Sequence, residues 1–131
     1  MNLPVLTIAS GNQRKVSEIS EMLDVLSLKV QKQPDYLNVE ETGNTYFENA
    51  LLKAKAAALE TKTWALGDDS GLEVDILDGR PGIYSARYAK NNAEKIKKLI
   101  NELSDSPYRS ARFISCMVLC DPSGNLVKDT T

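Results

Sequence analysis

The 131-residue sequence predicts an α/β fold with a mixed β-sheet flanked by helices. Three observations carry this. An apolar run rich in β-formers, Leu3 to Ala9, breaks at Ser10-Gly11-Asn12 and gives way to residues recurring at helical spacing. An alanine-rich helical stripe then separates two further strand-like regions. Near the end, a long strand reaches a turn signal at Asp121-Pro122-Ser123-Gly124 and a returning strand, so parallel and antiparallel pairings coexist.

The elements follow in order. Leu3–Ala9 reads as a buried strand. Val16, Ile19, Met22, Leu23 and Leu26 place a helix over about Gln13–Leu26. Leu28-Lys29-Val30 is a second strand, and Gln33-Pro34-Asp35 is loop-like. Over Asn44–Glu60, Phe47, Ala50, Leu51, Ala54, Ala57 and Ala58 form one stripe, opened by a capping box at Thr45 and Glu48. So many small residues imply close packing on a sheet. Trp64–Gly67 reads as a strand ending in an acidic turn, Asp68-Asp69-Ser70-Gly71, with another strand at Leu72–Ile76. Gly79-Arg80-Pro81-Gly82 is a turn or loop. A helix over Asn91–Ser104 turns Ala93, Ile96, Leu99, Ile100 and Leu103 inward. Ala111–Cys120 is a long strand, and Asn125–Lys128 returns beside it. With no repeat and no linker, residues 1–131 read as one domain.

Bulk composition excludes several function classes. The chain is 42% apolar and 26% charged with net charge −2. A nucleic-acid backbone binder would show a basic surplus. No apolar run approaches a membrane span, and Met1-Asn2-Leu3-Pro4 lacks the basic and apolar regions of a signal peptide. A cytoplasmic protein is expected. Cys116 and Cys120 share one strand face but stand about 13 Å apart if extended, too far to bridge, so both read as buried thiols. There is no histidine, which removes Ser-His-Asp and Cys-His catalysis and His-ligated metals. Carboxylates, lysines, hydroxyls and a hard metal remain.

Three segments carry that chemistry. Ser10-Gly11-Asn12-Gln13-Arg14-Lys15 takes a strand into a helix, where backbone N–H groups and the helix dipole suit phosphate. Ser10 and Asn12 can add side-chain hydrogen bonds, and Lys15 can fold back onto a phosphate oxygen. The same residues also read as an ordinary Asn-capped connection with a solvated lysine. Asp68 and Asp69 are adjacent and, if extended, face opposite ways. One can reach Mg²⁺ while the other orients a lysine or a water. Glu41 is a candidate second carboxylate. Lys53 can offset phosphate charge or partner Asp68. The alternative is a polar turn and a solvated Glu40-Glu41 pair. Pro81–Tyr88, with Ser85, Arg87 and two tyrosines, reads as a loop over a nucleotide or as a packed loop whose tyrosines cover core.

Taken jointly, Ser10-Gly11-Asn12-x-x-Lys15, Glu40-Glu41-Thr42-Gly43-x-Thr45-x-x-Glu48-Asn49-Ala50-x-x-Lys53-Ala54, Asp68-Asp69-Ser70-Gly71-Leu72-x-Val74-Asp75 and Gly79-x-Pro81-Gly82-Ile83-Tyr84-Ser85-Ala86-Arg87-Tyr88 closely resemble the inosine/xanthosine triphosphate pyrophosphatase family. The resemblance reaches to about Cys120. It implies Mg²⁺-dependent hydrolysis of non-canonical purine nucleoside triphosphates (ITP, XTP, dITP) to the monophosphate and pyrophosphate, by a homodimer with a long cleft floored by a mixed sheet. By position, Ser10, Gly11, Asn12 and Lys15 match the triphosphate loop, and Glu41 and Asp69 the metal-linked carboxylates. Asp69 also matches the proton acceptor for the attacking water. Lys53 and Asp68 match a supporting polar pair, and Ser70 a substrate contact. Arg87 is taken as a further substrate contact. The family's Gly-Phe-Gly-Tyr-Asp-type loop and Ser-His-Arg motif, which read the base, are not in this sequence. The chain is therefore expected to be C-terminally truncated relative to the family, with that lobe incomplete. The competing expectations are a non-catalytic remnant that binds nucleotide phosphate or only oligomerises, and another house-cleaning nucleotide phosphatase on a similar scaffold.

Overall fold

Leu6, Thr7, Ile8 and Ala9 are all buried, so their strand is covered on both faces rather than one. In the computed structural model, which describes residues 3–131, this strand is β1 (Val5–Ile8). Met1 and Asn2, part of the N-terminal reading above, lie outside the described residues.

The chain forms two compact units, one of residues up to Asp68 plus Cys116–Thr131 and the other of Asp69–Ser115. In the first unit, β1 leads to α1 (Gln13–Met22), β2 (Lys29–Lys32) and α2 (Tyr46–Thr61). β3 (Trp64–Val74) and β4 (Ala111–Cys120) each run on from one unit to the other, and β5 (Leu126–Thr130) closes the chain. The strand order is β2-β1-β3-β4-β5. β1 pairs parallel with both β2 and β3, while β4 and β5 are antiparallel, so the sheet is mixed as expected.

Two apolar layers hold the first unit. Val16 and Ile19 of α1 pack with Leu6 and Ile8 of β1. On the other side, Ala50, Ala54, Ala57 and Ala58 of α2 pack with Ala65 of β3 and with Cys116, Val118 and Cys120 of β4. The small residues of α2 have a direct cause at Gly67. A Cβ there would lie 2.4 Å from the Ala50 carbonyl oxygen and 2.8 Å from the Ala54 nitrogen. Helix backbone thus rests on strand backbone, a separation only alanine and glycine permit. Both cysteines are free and buried, alternating inward along β4 as read from the sequence.

Two elements of this part of the chain differ from expectation. The first helix ends at Met22, not Leu26, because the chain must turn back for the Lys29 N–H to reach the Pro4 carbonyl. Val25 and Leu26, beyond that end, are exposed, so their apolar spacing reflects no buried face. Asp68-Asp69-Ser70-Gly71 is not a turn but the middle of the eleven-residue β3. Its polar side chains stay in the strand because alternation gives each a place of its own: Asp69 and Gly71 buried, Ser70 exposed. The reversal comes later, at Asp78 and Gly79, where φ is +58° and +85°.

In the second unit, β3 leads through 3₁₀ turns at Asp75–Leu77 and Gly82–Arg87 to α3 (Asn92–Leu103). Ser85 Oγ accepts from the Leu72 N–H (2.9 Å) and donates to the Gly82 carbonyl (2.6 Å), tying the second turn to the strand. The inward stripe expected on α3 is not buried. Ile96 and Ile100 are 60% and 55% exposed, and no α3 residue is buried. Ile96 and Leu99 instead border an open cavity with Leu72, Pro81, Ala86 and Phe113. The tyrosines also differ from core cover, since Tyr84 is exposed and Tyr88 half-buried.

Candidate functional site

The β1–α1 connection is built by its own side chains. Asn12, in extended conformation, caps α1: its Oδ1 accepts from the N–H groups of Arg14 (3.0 Å) and Lys15 (3.3 Å). Ser10 Oγ accepts from the Asn12 N–H at 3.1 Å. Both the capped-connection reading and the phosphate reading therefore bear on this loop. Three of its amides are internally satisfied, while those of Gly11 and Gln13 have no partner among the described residues. Gly11 is exposed at a helix N-terminus, where an anion is favoured.

The loop before α2 supplies the second wall. Asn49, 2% exposed within the alanine stripe, accepts the Gly43 N–H on its Oδ1 at 2.8 Å. A Cβ on Gly43 would fall 2.6 Å from Glu48 Cβ, so the chain passes the helix start too closely for a side chain. This clamp fixes the course of Glu40-Glu41-Thr42. Glu48 completes the capping box, donating its N–H to Thr45 Oγ1 (3.0 Å) and accepting the Asn44 N–H (2.6 Å).

Two ion pairs follow from this placement. Lys15 Nζ lies 3.2 Å from both Asp68 oxygens, and Lys53 Nζ lies 3.2 Å from Glu41 Oε1. The pairing of Lys53 with Asp68 considered from the sequence is not made. Ile8 and Leu66 are partners in the β1–β3 ladder, so Asp68 emerges beside the end of β1, where α1 begins and Lys15 projects. Lys53, on α2, is instead beside the loop that precedes its own helix. The side chains are half-buried, at 35% and 15% exposure for Lys15 and Asp68 and 16% and 25% for Lys53 and Glu41.

These residues face a polar cavity of about 300 Å³ lined by Ser10, Gly11, Lys15, Glu41 and Lys53, with Gln33 and Asn38 beside them. Five of the sequence candidates thus share one cavity, with Asp68 bonded to one of its lysines. Gln33 and Asn38 were not singled out from the sequence, where Gln33 opens a loop-like stretch and Asn38 carries no motif. The buried Asn49 was also missed, although an amide inside an alanine stripe signals a polar duty for that face. In the second unit, Asp69 is buried at 7% exposure, Ser70 is exposed beside it, and Arg87 is exposed at the end of the second 3₁₀ turn.

The donor set suits a hard cation. Its oxygen groups are carboxylates and hydroxyls, there is no histidine, and both thiols are sealed in the core. Among the described residues there is no cluster of three or more His, Cys, Asp or Glu. Hard divalent cations take oxygen ligands, often only one or two carboxylates with water completing the shell. Among the described residues no helix is long and apolar enough to cross a membrane.

The sequence and the fold both have relatives. The Ham1 family model matches residues 6–130. A dITP/XTP pyrophosphatase of Synechococcus sp. (strain CC9311) is 52% identical over 123 residues, covering 94% of this chain and 60% of the relative. One from Synechocystis sp. (strain PCC 6803) is 42% identical, covering 98% of this chain and 66% of the relative. The chain thus spans 60–66% of the length of these relatives. Among solved structures, a HAM1 protein from Coxiella burnetii aligns with TM-score 0.85 at 36% identity, over 95% of this chain and 68% of that one. The Staphylococcus aureus Ham1 protein aligns with TM-score 0.80 at 37% identity, over 96% and 66%.

Proposed function

The chain belongs to the Ham1 family, and from that premise we propose that it is a Mg²⁺-dependent pyrophosphatase of non-canonical purine nucleoside triphosphates. ITP, XTP and dITP would be cleaved to the monophosphate and pyrophosphate. The observation that carries the reading is the polar cavity in which Ser10, Gly11, Lys15, Glu41 and Lys53 converge. The names of the relatives supply the substrate class.

In this reading the triphosphate enters at the N-terminus of α1. The Gly11 and Gln13 amides, the Ser10 hydroxyl and the Asn12 side-chain amide hold its oxygens. Lys15 and Lys53 exchange part of their ion pairing for phosphate, which keeps their charge neutralised in both states. Glu41 and Asp69 would hold the metal, whose contribution is to neutralise charge developing on the phosphates. Asp69 accepts the proton of the water that attacks the α-phosphorus, Asp68 keeps Lys15 oriented, and Ser70 and Arg87 contact substrate. The protein is proposed to act in the cytoplasm as a homodimer, with a small nucleotide rather than nucleic acid as its ligand.

The test is pyrophosphate release from inosine, xanthosine, guanosine and adenosine triphosphates with Mg²⁺, using the 131-residue chain. Release favouring the inosine and xanthosine nucleotides is expected. No release from any of them, with nucleotide still raising the thermal midpoint, would leave phosphate binding without hydrolysis.

A further inference from the structure

Two adjacent glutamates precede α2, and they are placed differently. Glu40 is exposed, while Glu41 lines the polar cavity with 25% of its side chain exposed. Neighbouring residues of an extended chain point to opposite sides, so a slip of one residue here would exchange the two carboxylates. Residues 37–43 form neither strand nor helix, so no ladder sets the register of this loop. The bond from the Thr42 N–H to the Glu40 carbonyl, at 3.1 Å, moves with the loop and cannot set it either.

Helix α2 grips the loop at two points. Asn49 Oδ1 accepts the Gly43 N–H at 2.8 Å, and Lys53 Nζ meets Glu41 Oε1 at 3.2 Å. Asn49 and Lys53 are four residues apart, so they share one helix face about 6 Å apart along the axis. Gly43 and Glu41 are two residues apart, a span of at most about 7 Å. The spacings match, and the chain runs back along the first turns of its own helix in a register that satisfies both contacts. The two contacts differ in stiffness. Lys53 is long, and it is the group proposed to turn towards phosphate. Asn49 is short, 2% exposed and bonded to backbone. Gly43 makes that approach possible, since a Cβ there would fall 2.8 Å from Asn49 Oδ1 and 3.1 Å from the Asn49 nitrogen. Neither the helix nor the core asks for an amide at this place. Alanine has the better helix propensity and would continue the stripe, while a buried amide costs stability unless it is bonded.

We infer that Asn49 is a positioning residue: its bond to the Gly43 N–H sets the register that puts Glu41, rather than Glu40, at the cavity. The inference deepens the pyrophosphatase reading and rests on it only for the role of Glu41 as a metal-linked carboxylate.

The experiment is carboxyl labelling of the 131-residue chain with a carbodiimide and glycinamide, without metal, read residue by residue by tandem mass spectrometry. In the parent chain Glu40 is expected to label faster than Glu41. In Asn49→Ala, which extends the alanine stripe, the two rates are expected to converge. Gly43→Ala leaves Asn49 in place and breaks the same contact from the loop side, so it carries the test if Asn49→Ala unfolds. The double variant is expected to do no more than either single one, because all three remove one contact. A labelling difference that persists in the folded variants overturns the inference: a contact that only holds the fold would lower the thermal midpoint and leave the ratio unchanged. The second readout is the Mg²⁺ concentration for half-maximal pyrophosphate release from inosine triphosphate, expected to rise roughly tenfold in either variant. Converged labelling with an unchanged Mg²⁺ requirement keeps Asn49 as the positioning residue and removes Glu41 from the metal. If the parent chain releases no pyrophosphate, the pyrophosphatase reading fails and the labelling ratio still decides the placement.

Discussion

Lys15 Nζ stands 3.2 Å from each carboxylate oxygen of Asp68, a pair closed across 53 residues of chain. With Lys15 and Asp68 35% and 15% exposed, the pair keeps part of its solvation and contributes on the order of 1 kcal/mol to stability. The pair is therefore better understood as placing a lysine at the cavity than as holding the fold. Lys15→Ala is expected to lower the urea-unfolding free energy by no more than about 1 kcal/mol while reducing pyrophosphate release at least ~10-fold. A stability loss several times larger, with turnover unchanged, would reverse that assignment.

Asp69 tests the proposed chemistry more directly. It follows Asp68 in the same strand and is buried where Asp68 is half-buried. Asp69→Asn keeps size and hydrogen-bonding shape but removes the charge and the proton-accepting oxygen. Turnover is expected to fall by at least ~10²-fold, with the thermal midpoint close to that of the parent chain. Unchanged turnover in a folded Asp69→Asn chain would sink the base assignment.

Gly67 tests the packing that places both walls of the cavity. A Cβ there overlaps the backbone of α2 at Ala50 and Ala54, where no rotamer change gives relief. Gly67→Ala is expected to cost about 1–3 kcal/mol or more in urea denaturation. Ala54→Gly, which only removes a methyl group, offers a paired variant. If α2 can move back from β3, the double variant will recover part of the loss.

What the sequence displayed well was local or periodic. The Asn12 cap, the capping box at Thr45 and Glu48, the alanine stripe and the Cys116–Val118–Cys120 alternation each depend on neighbours a few residues away, and each is found in the structure. Ser10, Gly11, Lys15, Glu41 and Lys53 share a cavity for the same reason, since strand ends and helix starts are marked in the sequence. The partners of the lysines were not legible. They depend on the ladder register between β1 and β3, which no local pattern encodes. The Asp68–Gly71 segment misled because Asp, Ser and Gly favour turns, while alternation within a long strand overrode that preference. The stripe on α3 was real as a pattern, but burial requires a facing apolar layer, and periodicity alone carries no information about one.

The Tyr88–Glu102–Arg80 triplet makes stability depend on pH at both extremes. The hydrogen bond from Tyr88, followed by the one from Arg80, holds the Glu102 carboxyl below its ordinary 4.5. A depressed carboxyl contributes stability above its unfolded value and loses it as the pH falls through the folded one, so this contribution should fade in acid below about 4.5. Tyr88 behaves oppositely. Its folded value of about 12 lies above the ordinary 10.0, so between these the unfolded chain releases a proton that the folded chain keeps. Stability should be fully present below pH 10 and decline towards pH 12. Urea midpoints measured across both windows check each arm separately. Tyr88→Phe should flatten the alkaline decline by removing its titrating group. Glu102→Gln should flatten the acid one, and it should also lessen the alkaline decline, because the carboxylate that raises Tyr88 is gone. An alkaline decline of undiminished size in Tyr88→Phe would assign it to other groups and leave the triplet a purely local contact.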